Sequence, residues 1–109
     1  MAMVINRFEV WMVNLDPTMG SEINKVRPCL VISPDEVNHN LNTVIAAALT
    51  STRKPYPTRI NCNFDGKLGQ IALDQIRSVD KVRFLRKLGV LDDPTCQQVC
   101  YLLRELFQY

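Results

Sequence analysis

Arginines, hydroxyl groups, amides and a carboxylate gather at the ends of predicted strands, where they could act on a phosphate group. They are Arg27, Thr50, Ser51, Thr52, Asp74, Gln75 and Arg77. Arginine stays charged and offers a planar fork that fits phosphate oxygens, and threonine adds a neutral hydrogen bond. Cleavage of RNA needs no metal when the substrate's own 2′-hydroxyl is the nucleophile and the site supplies orientation and charge stabilisation. These residue types therefore suit a phosphodiester in RNA.

The polar loop over residues 14 to 28 contains the first of these groups. Asp16-Pro17 opens the loop, Gly20 loosens it and Arg27-Pro28 closes it. Loops of this length in compact domains are usually functional or mobile. The guanidinium of Arg27 is suited to holding a phosphate, and the alternative is a plain surface connection with a solvated arginine.

Metal and cofactor sites find no support in the sequence. The only histidine, His39, has no cysteine near it, and no C-x-x-C pair is present, so we predict no metal site. The glycines are scattered, so no nucleotide-binding loop is present and no cofactor is expected. The four cysteines lie in apolar or helical patterns, which favours free buried thiols over disulfides.

Length and composition are those of one ordinary domain, residues 1–109. The chain is 47% hydrophobic and 22% charged, so disorder is not expected. No apolar run approaches the roughly 20 residues that cross a bilayer, and the N-terminus lacks a signal pattern. We therefore expect a cytoplasmic protein without membrane contacts.

The net charge of +2 is small, but its distribution is uneven. Five cations and one acid lie between Arg77 and Lys87. Further cations at the ends of two other loops are Lys25, Arg27, Arg53 and Lys54. Such a run indicates either a solvated face or a surface that binds a polyanion.

Short strands and one helix must position these residues. Apolar runs and alternating patterns predict strands over residues 7–15, 28–33, 43–50, 58–64, 68–73 and 84–91, with a turn of helix near Pro34. Asp65-Gly66 predicts a hairpin turn, and polar residues interrupt the pattern over residues 74–80. Asp93 before Pro94 is predicted to cap a C-terminal helix whose apolar residues recur at spacings of three and four. The order predicts a mainly β (α+β) domain, a small curved sheet or barrel with a C-terminal helix.

Several segments in the same order resemble the MazF/PemK-like toxins of bacterial type II toxin–antitoxin systems. The segments are Glu9-Val-Trp-Met-Val-Asn-Leu-Asp-Pro-Thr, Gly20-Ser-Glu22, Arg27-Pro28, Thr50 with Tyr56-Pro57, and Leu73-Asp74-Gln75-Ile-Arg77-Ser-Val-Asp80. Each segment alone is a weak signal, but their order and spacing over nearly the whole chain are specific. The resemblance implies a homodimeric SH3-like barrel. It also implies a sequence-specific, metal-independent endoribonuclease that cuts single-stranded RNA, leaves a 2′,3′-cyclic phosphate and so inhibits translation and growth.

The resemblance also assigns roles to individual residues. Arg27 is implied as the main catalytic group, Thr50 as a stabiliser of the transition state, and Glu22 as a residue that orders the first loop or helps proton transfer. A guanidinium does not deprotonate near neutral pH, so we expect Arg27 to act by electrostatic stabilisation. The residues expected to bind substrate are Lys25, Ser51, Thr52, Arg53, Asp74, Gln75 and Arg77. Asp74 suits equally a cap or turn residue that holds Arg77.

The chain departs from one branch of the family at two places, and the preferred bases stay open because they depend on loop residues that vary. That branch has an arginine where this chain has Ala72, and a histidine in the first loop where this chain has Thr18-Met19-Gly20. Those two roles are not transferred.

The predicted RNA groove is formed by the 16–27 loop, the 51–57 loop and the basic segment after Asp74. A cognate antitoxin is expected to occupy it, because an acidic, partly disordered tail can compete with RNA for the same cations. One alternative is a noncatalytic toxin of the same fold that inhibits DNA gyrase and depends on residues Leu106 to Tyr109. The other is a noncatalytic SH3-like module, whose aromatic groove would have only Trp11, Tyr56 and scattered phenylalanines.

Overall fold

An alanine-rich strand lies at the centre of the computed structural model, which describes residues 3–109. The strands are β1 (Glu9–Asn14), β2 (Val26–Val31), β3 (Thr43–Thr50), β4 (Arg59–Phe64), β5 (Lys67–Ala72), β6 (Arg77–Asp80) and β7 (Phe84–Val90). The helices are α1 (Asp35–Asn38) and α2 (Asp93–Leu106), and short 3₁₀ turns cover Leu73–Gln75 and Lys81–Arg83. The strands predicted over residues 7–15, 28–33, 43–50, 58–64, 68–73 and 84–91 are all present.

The central strand β3 pairs with three neighbours, all antiparallel. On one edge it meets β2, with Cys29 opposite Ala48. On the other edge its first half pairs with β6, and its last two residues pair with β5, where Thr50 lies opposite Gln70. Alanines at positions 46 to 48 are buried, and their small side chains allow this crowding. The end of β3 therefore lies among β2, β5 and the loop that follows.

The sheet is curved but not closed. Its strand order is β4-β5-β3-β2-β1-β7, with β6 beside β3, and within residues 3–109 the end strands β4 and β7 are not paired with each other. The structure confirms the mainly β fold with a C-terminal helix, in the form of a curved sheet. The segment 74–80, predicted only as an interruption, contains the short strand β6. Val79 is its single buried residue, too weak a pattern to predict a strand.

The two faces of the sheet bury separate apolar clusters. One cluster includes Val10, Leu30 and Leu49 and is covered by Cys96 and Val99 of α2. The other contains Trp11, Val13, Cys29, Val31, Ala46, Ala48, Val79 and Phe84. Alternate residues of β2 and β3 thus face opposite cores, as a strand period of two requires.

Helix α2 begins at Asp93, one residue earlier than the predicted cap at Asp93 implied. The side chain of Asp92, not Asp93, accepts hydrogen bonds from the backbone N–H and the hydroxyl of Thr95, at 3.0 and 2.7 Å. Asp93 is the first helical residue and accepts from Gln97 at 2.8 Å. Two consecutive aspartates before Pro94 made the cap ambiguous from sequence. Neither helix among residues 3–109 has the length and apolarity of a membrane span.

All four cysteines are free thiols, as predicted. Cys29, Cys62 and Cys96 are buried, and Cys100 is half-buried. Burial raises the pKa of Cys29 to about 12 and that of Cys96 to about 11. These two thiols are therefore protonated and unreactive at neutral pH.

Candidate functional site

A cleft of about 340 Å³ lies at the end of the β2–β3 pair and contains both Arg27 and Thr50. Cys29 lies opposite Ala48, so the same register continued by two residues places Arg27 opposite Thr50 on the same face. We call this the arginine cleft. Its apolar lining consists of Met12, Pro28, Leu49, Cys62, Phe64, Leu68 and Leu88. The fold thus brings together the two residues that the sequence analysis assigned to catalysis.

The guanidinium of Arg27 is held at one end. Its Nε donates a hydrogen bond to the backbone carbonyl of Asn24 at 2.8 Å. Within residues 3–109 no carboxylate lies within 4.0 Å of it, since the ion pairs there involve other residues. A fixed guanidinium without an acidic partner is suited to binding a phosphate.

Thr50 is 6% exposed, and its position depends on close backbone packing. Its Oγ1 accepts a hydrogen bond from the backbone N–H of Thr52 at 3.2 Å, which leaves the hydroxyl proton free to donate. A Cβ atom added to Gly69 of β5 would lie 2.8 Å from the carbonyl oxygen of Thr50. Only glycine allows β5 to approach the end of β3 so closely.

The arginine cleft has an excess of positive charge. Lys67 and Arg86 line it with Arg27, and among the described residues Asp65 is the one acid in its lining. Sequence reasoning included Arg86 only in the run of cations before Lys87, and it missed Lys67. The signal for Lys67 was its place beside the Asp65-Gly66 turn, but the sequence does not reveal that this hairpin end folds towards Arg27.

A second concave pocket, of about 500 Å³, lies next to this cleft. Cys29 and Ala48, one cross-strand pair further along the ladder, line it together with loop residues. Cys29 is two residues from Arg27, about 7 Å along the strand. We call this second pocket the loop pocket. Its other lining residues include Ser21, Glu22, Ile23, Asp74, Gln75 and Arg77.

Gln75, the last residue of the 3₁₀ turn after β5, binds the first loop in the loop pocket. Its Oε1 accepts from the backbone N–H of Ile23 at 2.7 Å, and its Nε2 donates to the carbonyl of Ser21 at 3.3 Å. Glu22 accepts a hydrogen bond from the backbone N–H of Met19 at 2.6 Å. Glu22 thus has contacts that order the loop, and it does not line the arginine cleft. These contacts favour the loop-ordering role over proton transfer.

The base of the same loop is closed by backbone and arginine contacts. Lys25, with a φ of 71°, donates its N–H to the Asp16 carboxylate at 2.9 Å. Arg77 donates to the Leu15 carbonyl at 3.4 Å, and Arg83 donates to the carbonyls of Asn14 and Asp16. Arg77 therefore holds the loop, whereas the side chain of Lys25 lies exposed beside it.

The 51–57 loop begins at the arginine cleft, where Ser51 is part of the lining. Buried Gln70 accepts from the backbone N–H of Lys54 at 3.0 Å and donates to its carbonyl at 3.2 Å. Arg53 and Lys54 are exposed, and neither has an acidic partner within 4.0 Å in the part of the chain that the structure describes.

Asp74 binds Arg59, not Arg77 as its turn alternative implied. Its carboxylate accepts from Nε of Arg59 at 2.6 Å, from a terminal nitrogen of Arg59 at 3.1 Å and from the Thr58 hydroxyl at 3.1 Å. The hydrogen bond from Arg59 is the main reason that the pKa of Asp74 is lowered. Asp74 thereby joins the start of β4 to the 3₁₀ turn before β6.

This ion pair gives the stability of the protein a specific dependence on pH. A folded-state pKa below the ordinary 3.8 means that Asp74 stabilises the fold above pH 3.8 and loses that effect as the pH falls through the lowered value. We expect Asp74→Asn to lower the free energy of unfolding by about 1.5–3 kcal/mol at pH 7. The difference from wild type should shrink below pH 3.8, as measured by urea unfolding.

The matched control is Asp65→Asn, in an exposed turn where asparagine tolerates the positive φ of 53°. It should change the unfolding free energy little at either pH. A deficit of Asp74→Asn that stays constant down to pH 3 would contradict the assigned ion pair.

Comparison with known proteins identifies the family. A model of the PemK-like, MazF-like toxins of type II toxin–antitoxin systems matches residues 6–107. Endoribonuclease EndoA of Bacillus subtilis (strain 168) is 35% identical over 103 residues, which cover 89% of this chain and 89% of that protein.

Solved structures show the same fold. MazF (Form-I) from Deinococcus radiodurans is 26% identical and superposes with a TM-score of 0.87 over 99% of this chain and all of that one. An endoribonuclease in complex with its cognate antitoxin from a mycobacterial species is 22% identical, with a TM-score of 0.78 over 93% of this chain and 92% of that one. The chain belongs to the PemK-like, MazF-like toxin family of type II toxin–antitoxin systems, as its sequence predicted.

Proposed function

We propose that this chain is a toxin endoribonuclease that cleaves single-stranded RNA in the arginine cleft. Family membership and the endoribonuclease relative support the reaction. The observation that carries the proposal is the Arg27 guanidinium, which lies beside Thr50 in a cleft with excess positive charge. Asn24 fixes it, and within residues 3–109 no carboxylate pairs with it. Such a site binds the phosphate of an RNA backbone and stabilises added negative charge on it.

In the proposed reaction the 2′-oxygen of the substrate bonds to the adjacent phosphorus, and the bond from phosphorus to the 5′-oxygen breaks. A proton leaves the 2′-hydroxyl and the departing 5′-oxygen gains one, so the products are a 2′,3′-cyclic phosphate and a 5′-hydroxyl. Arg27 stabilises the charge on the nonbridging oxygens, and the Thr50 hydroxyl donates a further hydrogen bond. Ser51 lies beside Thr50, and in this proposal it contacts the same part of the RNA backbone.

The remaining predicted site residues fall into two groups in this proposal. The first group, Lys25, Thr52 and Arg53, lies on the two loops beside the arginine cleft and the loop pocket. The exposed cations there attract the RNA backbone. Glu22, Asp74, Gln75 and Arg77 hold the loops through the contacts described above. We propose that these four act by positioning the groove walls, although the sequence analysis assigned three of them to substrate binding.

The first test is cleavage of a long single-stranded RNA in EDTA, with the new 5′ ends mapped. We expect specific cuts by the wild type. Arg27→Ala and Thr50→Val should each lower the rate by about 100-fold or more, because each removes a donor to the developing charge. Arg27→Lys should restore little, since an ammonium lacks the planar fork.

The control is Arg104→Ala, at an exposed position of α2. This variant should cleave like wild type. An RNA with a 2′-deoxy sugar at a mapped cut should resist cleavage there, because it lacks the nucleophile. Cleavage at that position would contradict the 2′-oxygen as the nucleophile. No cleavage of diverse RNAs by the wild type would overturn the proposed enzyme and favour the noncatalytic gyrase inhibitor.

A second test uses the close packing of β5 against Thr50. In Gly69→Ala the new methyl group would clash with a backbone carbonyl oxygen, so Thr50 must shift. We expect the cleavage rate to fall by about 10-fold or more while the protein stays folded, since small misplacements of a catalytic group are costly. Asn63→Ala, exposed opposite Leu68 on the same hairpin, is the matched control. Equal rates for the two variants would contradict this role of Gly69.

We propose two protein partners, a cognate antitoxin and a second copy of the chain, and a cytoplasmic location where RNA and antitoxin are present. A type II system pairs the toxin with an antitoxin, and an acidic antitoxin segment suits the unpaired cations of both loops. Light scattering of the purified chain should give twice its mass of 12.5 kDa. A monomer at micromolar concentration would refute the homodimer, and unchanged cleavage in the presence of the coexpressed antitoxin would refute the masking of the site.

A further inference from the structure

Tyr56 is an exposed aromatic residue on the 51–57 loop that the cleavage reaction does not use. It lies between Pro55 and Pro57, and 47% of the residue is accessible to solvent. Proline fixes its own φ and restricts the residue before it, so this part of the loop has few alternative conformations. The exposed ring is therefore presented from a stiff backbone.

One face of the Tyr56 ring covers a buried cation. The guanidinium carbon of Arg59 lies 5.4 Å from the ring centroid, and the Arg59 side chain is only 6% exposed. Arg59 cannot move easily, because it forms the bidentate ion pair with Asp74. The backbone N–H of Arg59 also donates to the Tyr56 carbonyl at 3.1 Å. Arg59 thus supports one face of the Tyr56 ring, and the solvent-accessible face is the opposite one.

The residues next to Tyr56 add positive charge without competing acids. Arg53 and Lys54 precede it and lack carboxylate partners within residues 3–109. Gln70 fixes the backbone of Lys54 by two hydrogen bonds. A positively charged path with a stacking aromatic ring is the usual composition of sites for single-stranded nucleic acid.

The 51–57 loop runs from the arginine cleft towards a residue of the loop pocket. It leaves the arginine cleft at Ser51 and follows β5, with Lys54 beside Gln70. It reaches Tyr56 where Arg59 contacts Asp74, which lines the loop pocket. An RNA strand that follows the loop from the arginine cleft to Asp74 would pass close to the ring.

We propose that the outer face of Tyr56 is a stacking site for one base of the bound RNA, next to the phosphate that is cleaved. This inference rests on the proposed function. Stacking on a π face tolerates every base, so Tyr56 supplies affinity and holds the strand, while hydrogen bonds elsewhere select the sequence. The proposal differs from a purely structural role, in which Tyr56 only covers the Arg59–Asp74 pair.

Fluorescence separates base stacking from phosphate binding. In Tyr56→Trp the introduced indole reports on contacts at this position. Trp11 is only 6% exposed and contributes a constant background. Single-stranded DNA 20-mers of random sequence serve as a ligand that has bases but lacks the 2′-hydroxyl needed for cleavage. An abasic oligomer of equal length presents the phosphates alone. We expect quenching by the DNA and little by the abasic oligomer. Equal quenching by both, or by neither, would overturn the stacking site.

Kinetics with RNA provides the second measurement. Tyr56→Leu keeps an apolar cover over Arg59 but loses the π face, so KM should rise roughly 5- to 150-fold with kcat nearly unchanged. Tyr56→Phe should behave like wild type, and Tyr101→Leu, an exposed tyrosine on α2, is the matched control. An unchanged KM in Tyr56→Leu would contradict the inference while leaving the proposed reaction intact. Failure of the wild type to cleave RNA would instead refute the reaction, and the DNA titration would still test the stacking site.

Discussion

The antiparallel register between β2 and β3 determines where the chemistry of this protein can take place. Each strand contributes one side chain of the proposed catalytic pair, and the pairing of Cys29 with Ala48 sets both at the same level of the ladder. A shift of one residue would turn Arg27 to the opposite face of the sheet. That shift is opposed by the two apolar clusters, because it would exchange the buried faces of β2. Core packing on both faces of the sheet thus holds Arg27 beside Thr50.

Two glutamines fix the backbones of the two loops that border the site. Gln75 binds a backbone N–H and a carbonyl of the first loop, and Gln70 binds both backbone groups of Lys54 in the second. Each loop is too polar to be held by burial, and each contains backbone groups that need partners. An amide is the side chain that satisfies a donor and an acceptor at once. The walls of the groove are therefore fixed by hydrogen bonds from β5 and from the 3₁₀ turn that follows it.

The sequence was informative wherever one local pattern determined one element. Apolar alternation predicted the long strands, and the three-and-four spacing predicted α2. The sequence did not predict β6, which has a single buried residue and forms where β3 offers a free edge. The proposed catalytic pair was predicted from the resemblance and from residue type, but the contribution of Lys67 depends on how a distant hairpin folds. The partner of Asp74 was also beyond reach, because Arg59 and Arg77 are both available arginines and only the β4–β5 pairing brings Arg59 alongside.

The choice of glutamine at positions 70 and 75 has an electrostatic consequence. A glutamate at either position could accept one of the same hydrogen bonds, but it would add a negative charge beside cations that have no acidic partner. Neutral anchors leave the positive potential of the groove undiminished, so it can attract a polyanion from solution. Amides also do not titrate, so the order of both loops is insensitive to proton concentration near neutrality. Within residues 3–109 the acidic side chains that line the two pockets are Asp65, Glu22 and Asp74. A further decrease in this potential needs acidic groups from a bound partner, which makes the field of the groove available for control by whatever binds there.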